Sequence, residues 1–118
     1  VAPLRDPGVA GLQDGATIDE HAGRYADAAA KLDQALKLSP QSPDLLQDRA
    51  EIAVRQQDYP LAEKLARQSW QLGPKSGSLC ARNMQTVVEM RLQAGDQAGA
   101  DAARQGVQQC HIAGVNRF

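Results

Sequence analysis

Two cysteines, two histidines and one glycine-bounded turn are the residues of this 118-residue chain whose types lend themselves to covalent, metal or phosphate chemistry. Cys80 and Cys110 stand at equal separations before and after Gly95. In a helical hairpin that turns at Gly95 both thiols sit at one height, about 22 Å from the turn at ~1.5 Å per residue. The chemistry open to them is oxidation to a disulfide that ties the open end of the hairpin. On the chain-entropy estimate such a bond is worth roughly 3 to 4 kcal/mol for a loop of that length. The alternative is a pair of buried thiols that pack as small hydrophobes. Zinc would need two or more further ligands and finds only His111 beside Cys110, so no metal site is expected.

Hydrolytic and phosphoryl chemistry have less support. No Gly-x-Ser-x-Gly elbow and no His-Glu-x-x-His pair occurs, and His21 and His111 fall in distant parts of the chain. Gly73-Pro74-Lys75-Ser76-Gly77 has the ending of a phosphate loop, but Pro74 stands where that loop needs glycine, and a helix rather than a strand is expected before it. It reads as a turn. The carboxylates are scattered and read as solvated surface. The expectation is a protein that is not an enzyme and carries no cofactor. Thirteen basic residues against 14 acidic ones leave a formal charge of -1, which builds in no attraction to phosphate backbones. Nucleic acid is therefore not an expected partner. No apolar run approaches the roughly 18 to 20 residues that cross a bilayer, so direct membrane insertion is not expected either.

The elements that position these residues follow from an internal repeat with a period of about 34 residues. One shift by that period lays Tyr25 on Tyr59, Ala28 on Ala62, Leu38 on Leu72 and Pro40 on Pro74. Tyr and Ala three positions apart share a helical face, and Pro40 and Pro74, equally far beyond Tyr25 and Tyr59, each stop a helix. A second helical stretch precedes each Tyr, and the short connection between the two makes them antiparallel neighbours. Ser42 and Asp58 are expected N-caps, with Pro43 and Pro60 in the first turns. A third unit reads Gly95-Asp96-Gln97-Ala98-Gly99-Ala100, but begins four positions later than two exact periods after Gly23. Four residues have entered its first helix, close to one turn of 3.6. Six helices are expected, over 9–22, 25–38, 44–57, 60–72, 78–94 and 97–110. The organisation expected is a linker or flexible N-terminus over 1–8, one domain over 9–110 with units of about 9–42, 43–76 and 77–110, and a tail over 111–118.

Gly23-Arg24-Tyr25-Ala26-Asp27-Ala28 followed by Leu32, Ala35, Leu36 and Pro40 resembles the second helix of the tetratricopeptide repeat family. Asp58-Tyr59-Pro60-Leu61-Ala62 with Leu65, Ala66, Trp70 and Pro74 is a looser copy, and Ala16 and Ala50 hold the family's small-residue position. Asp19 stands where an apolar residue is usual, Ser69 replaces an alanine, and the third unit lacks both the tyrosine and the final proline. The resemblance implies an all-α fold of three antiparallel helix pairs in a short right-handed superhelical solenoid, whose first helices line a concave groove. It places Gln13, Thr17 and Glu20, then Asp44, Gln47, Glu51 and Arg55, then Ala81, Gln85 and Val88 on that groove, as contacts for another protein or peptide. The family's chaperone-carboxylate clamp uses Lys, Asn and Arg, where this chain has Gln13, Thr17 and Asp48, so the clamp is not expected. Tyr25 and Tyr59 read as packing residues. Trp70 reads either as core between the second and third units or as an exposed anchor. In the tail, Ile112, Val115 and Phe118 are expected to cap the array or to make a dimer contact.

Size and organisation are similar to the short tetratricopeptide domains of outer-membrane lipoproteins that activate peptidoglycan synthases of the class A penicillin-binding type. A disulfide would place the protein in a bacterial periplasm or another extracytoplasmic space. The alternative is a self-associating scaffold or assembly factor of the pilus or secretion type, with a homodimer formed through the terminal helix and tail.

Overall fold

Three helices carry in their first turn a proline that follows an aspartate or a serine by one or two residues. The structure, a computed structural model, describes residues 6–112. Within it α1 spans Pro7–His21, α2 Tyr25–Leu38, α3 Pro43–Arg55, α4 Tyr59–Leu72, α5 Ser78–Gln93 and α6 Gln97–Ile112. Asp6 accepts from the Gly8 and Val9 amides, Ser42 from Leu45, Asp58 from Leu61 and Asp96 from Gly99, each satisfying donors that a first helical turn leaves free. Pro7, Pro43 and Pro60 occupy first turns, where a missing N–H removes no bond. With Asp6 as its cap, α1 starts two residues earlier than expected and takes in Pro7 and Gly8. The expected apolar cap of Val115 and Phe118 lies outside the described residues, as does the Ile112 side chain.

Each short turn folds a helix back on its predecessor: α1 packs on α2, α3 on α4 and α5 on α6, while α2–α3, α4–α5 and α3–α5 contacts join the pairs. The result is the all-α helical-repeat solenoid that the periodicity implied. Its smallest extent, 21 Å, equals two helix layers of about 10–12 Å each. Ala28, Ala62 and Ala100, one from each pair, are fully buried where the two layers meet. Tyr25 and Tyr59 are half-buried and pack against core clusters, as expected of packing residues.

The three hairpin turns share one backbone device. Gly23, Gln57 and Gly95 have φ of 77°, 63° and 74°, the left-handed region that glycine enters without steric cost. Gln57 carries a Cβ there, a strain of roughly 1–2 kcal/mol. Gln57→Gly is expected to raise the unfolding free energy by about 0.5–1 kcal/mol, the relieved strain less the extra entropy of an unfolded glycine. Urea titration of the two proteins measures it, and a destabilised variant would contradict the strain account.

Where the sequence departs from the repeat pattern, the structure supplies partners. Asp19, 6% exposed, receives Arg24 across the hairpin turn and Lys31 from α2. In the third pair the same bridge recurs with its charges exchanged: Arg91 reaches Asp96 across the turn and Glu63 on α4. Ser69, fully buried, donates its hydroxyl to the Pro43 carbonyl at 2.8 Å. Chiefly through its bond from Lys31, against the opposing effect of burial, the Asp19 carboxyl is held below its ordinary value. A depressed carboxyl stabilises the fold above its unfolded pKa, and that contribution is lost as pH falls through the folded value. Asp19→Asn should therefore flatten the fall in stability on acidification below about pH 4. Denaturant midpoints at pH 5 and pH 3 test this, and an unchanged slope would remove Asp19 from the acid response.

The extra residues of the third unit divide between helix and turn. Helix α5 has 16 residues where α3 has 13. The turn before α5 has five where the one before α3 has four. Three of the four thus lengthen the helix and one lengthens the turn. At the far end of this hairpin Cys80 and Cys110 are joined by a disulfide, with Cα atoms 5.7 Å apart and both residues 1% exposed. The Gly77 amide adds a bond to the Cys110 carbonyl at 3.1 Å. The place that Cys110 takes in α6 belongs to Leu38 in α2 and Leu72 in α4, both exposed. The third unit has turned an exposed leucine position into a buried staple.

Candidate functional site

α1, α3 and α5 lie side by side as the first helices of their pairs, and the polar residues on their shared face meet. A hollow of about 390 Å3 is lined by Glu20 of α1, by Glu51, Val54 and Arg55 of α3, and by Arg82, Gln85, Thr86 and Glu89 of α5. A smaller recess beside it, bounded by Gln13, Ala16, Thr17, Glu20, Leu32 and Asp48, extends the groove along α1.

Arg82 is the hub of this surface. Its Nε donates to Glu51 Oε2 at 3.0 Å, and its Nη2 donates to Glu51 Oε1 at 2.7 Å and to Asp48 Oδ1 at 3.1 Å. Asp48 Oδ2 accepts from Gln13 Nε2 at 2.8 Å, so one carboxylate joins all three first helices. The hydrogen bonds to Glu51, ahead of the opposing effect of burial, raise the Arg82 pKa and keep the guanidinium charged. Burial pushes the Asp48 carboxyl above its ordinary value, against the lowering bonds from Gln13 and Arg82. Glu20 and Glu89 add negative charge, and among the described residues neither they nor Arg55 form an ion pair. Four carboxylates face two guanidiniums, and the groove is acidic.

Of the expected groove residues, Gln13, Thr17, Glu20, Glu51, Arg55 and Gln85 line these hollows. Two others are corrected. Gln47 is fully buried: α3 is flanked on both sides, and the Gln47 amide nitrogen is spent on Glu51 Oε2 at 3.0 Å and Thr86 Oγ1 at 2.9 Å. Val88 is 2% exposed and packs in the core with Ala50 and Ala100. Val88 stands two exact periods after Glu20, whereas the hairpin turn at Gly95 sets the register of α5 four positions further on. Counted so, Val88 takes the place of Ala16 and Ala50, and Gln85 and Glu89 take the places of Gln13 and Thr17. Asp44, on the first turn of α3, and Ala81, half-buried, line neither hollow.

Arg82, Glu89 and the ionic role of Asp48 were missed. Backward counting from Gly95 would have found Glu89, while the Asp48–Arg82 pairing depends on a helix approach that no local pattern encodes. Trp70 is half-buried rather than enclosed between the second and third units. Lys75 Nζ stands 4.4 Å from its ring centroid and donates to the Trp70, Gln71 and Gly73 carbonyls. The glycine-bounded turn thus closes the end of α4, where a cation meets the helix dipole. Both histidines are exposed, and among the described residues no group of three or more His, Cys, Asp or Glu is arranged to hold a metal ion. Nor is any described helix long and apolar enough to cross a membrane.

Comparison with known proteins adds to this geometry. A family model described as tetratricopeptide repeat matches residues 21–82. No curated protein matches the chain. Among solved structures, the globular C-terminal domain of Pseudomonas aeruginosa LpoP is similar at 28% identity and a TM-score of 0.81, over 89% of this chain and 99% of that one. The Sgt2 TPR domain of Aspergillus fumigatus has 20% identity and a TM-score of 0.79, over 90% of this chain and 70% of that one. The first TPR of Spaghetti (RPAP3), bound to the HSP90 peptide SRMEEVD, has 16% identity and a TM-score of 0.80, over 98% of this chain and 88% of that one. At such identities the last two speak for the fold alone.

Proposed function

The chain belongs to the tetratricopeptide repeat family, a family of protein-interaction modules, and on that premise we propose that it binds a segment of a partner protein along the groove of α1, α3 and α5, outside the cytoplasm. The observation that carries this reading is the groove itself. Its central charges are already paired and oriented by one another, so a ligand meets a prearranged surface and less ordering entropy is lost on binding. Surplus negative charge favours a segment bearing Lys or Arg. The Cys80–Cys110 bond supports an oxidising compartment, where disulfides persist. Similarity to the LpoP domain along nearly its whole length fits the narrower reading, an outer-membrane-anchored activator of a peptidoglycan synthase.

The test is site-specific photocrosslinking in the native cell, with the crosslinker at Thr17 or Gln85 in the groove and at Lys37 on α2 as control. Adducts with a membrane-anchored peptidoglycan synthase from both groove positions, and none from position 37, are the expected outcome. Adducts only with a second copy of the chain would replace this reading with the self-assembling scaffold. No adduct above the control would sink the groove as a binding site.

A further inference from the structure

Away from the groove, the first turns of α4 and the last turn of α5 enclose a larger crevice of about 570 Å3. Its floor includes half-buried Tyr59 and buried Met90, and its rim carries Glu63, Lys64, Arg67 and Arg91. Glu63, with its side chain 15% exposed, accepts Arg67 at 2.9 Å on one oxygen and Arg91 on the other. A single carboxylate thereby fixes two guanidiniums at the mouth. Lys64 adds a third cation and has no ion-pair partner among the described residues. With Asp96 also accepting Arg91, at 3.3 Å, three positive groups against two negative ones leave this rim basic by one charge on a chain whose formal charge is -1, and opposite in sign to the groove.

We propose that the crevice between α4 and α5 is a second docking site, which takes an acidic segment of a partner protein with a bulky apolar side chain next to its carboxylates. Charge complementarity selects the occupant: its carboxylates meet Lys64 and Arg67, while its apolar side chain covers Tyr59 and the adaptable Met90 surface. Because the guanidiniums are held in place before binding, less side-chain entropy is lost when they engage a ligand. A basic segment suited to the groove is repelled here, so the two surfaces read different segments and this site stands whether or not the groove binds.

The test is an amide NMR titration of the intact, oxidised chain with two synthetic peptides. One alternates Glu with Leu and Phe, and the other has Lys in place of Glu. The acidic peptide is expected to shift resonances of residues 59–67 and 90–94, with affinity falling at least fivefold in Lys64→Glu/Arg67→Ala and also when salt is raised from 50 to 500 mM on the unaltered protein. The Lys peptide should leave those resonances in place. Absent shifts, shifts confined to the groove residues of α1, α3 and the first three turns of α5, or salt-independent binding would each overturn the proposal.

Discussion

Reduction of the Cys80–Cys110 bond is expected to lower the unfolding free energy by about 3–4 kcal/mol and the melting temperature by roughly 10–20 °C. The bond closes a loop of 30 residues, so its removal returns the closure entropy of that loop to the unfolded chain. Its position strengthens the expectation. Every other helix except the first packs on at least two neighbours, whereas α6 rests on α5. Among the described residues no further helix covers the outer face of α6, and the bond joins its last turn to the first turn of α5. Loss should therefore be local before it is global. Hydrogen exchange of the reduced protein should accelerate first over residues 97–112, while α1 to α4 keep most of their protection. Paired urea titrations of the oxidised protein and the Cys80→Ser/Cys110→Ser variant measure the magnitude. A difference below about 1 kcal/mol would show that the hairpin is held by packing alone.

Arg82→Ala carries the second large effect, on the order of 2 kcal/mol. That figure is the value of charged hydrogen bonds to Glu51 and Asp48, discounted because the guanidinium is 43% exposed. The loss should depend on pH in a definite direction. Burial already raises the Asp48 carboxyl, and the Arg82 contacts hold that rise in check. Without them the folded pKa climbs further above the unfolded one. A raised carboxyl pKa gives a contribution present below the unfolded pKa and lost as pH rises through the folded value. The gap between variant and unaltered protein should thus widen from pH 4 to pH 7, opposite in sense to the acid response of Asp19. Denaturant midpoints at the two pH values decide it. A gap that fails to widen with rising pH would mean that Asp48 stays ionised without its partner. The proposed binding along the groove should weaken as well, because Gln13, Asp48, Glu51 and Arg82 hold one another in position across three helices.

Much of the fold was legible because its signals are local. Prolines and capping groups act within one turn, and helix boundaries followed them to within two residues at most places. Tyr25 and Tyr59 marked the repeat, and Ala28 and Ala62 marked the close contact between layers. The Cys80–Cys110 pairing was reachable since a hairpin's symmetry about Gly95 is a matter of counting. The groove was legible only in part. Six of ten expected residues line it, and the failures at Gln47 and Val88 have distinct causes. Val88 fell to a register error, curable by counting from the turn. Gln47 fell to a neighbour: nothing in α3 alone says that α5 would cover one side of it.

What the sequence by itself determined is the set of helices, their antiparallel pairing and the equal height of the two cysteines, since each depends on bonds and turns spanning few residues or on symmetry about one turn. Tertiary structure alone decided which polar residues pair between helices. Asp48 with Arg82, Glu63 with Arg91, and Asp19 with Lys31 all depend on how one helix lies against another. Coulomb energy and desolvation vary steeply with distance and burial, and both are set when helices pack. The same composition of acids and bases has thereby been sorted into an acidic groove and a basic crevice, a division that the formal charge of -1 conceals.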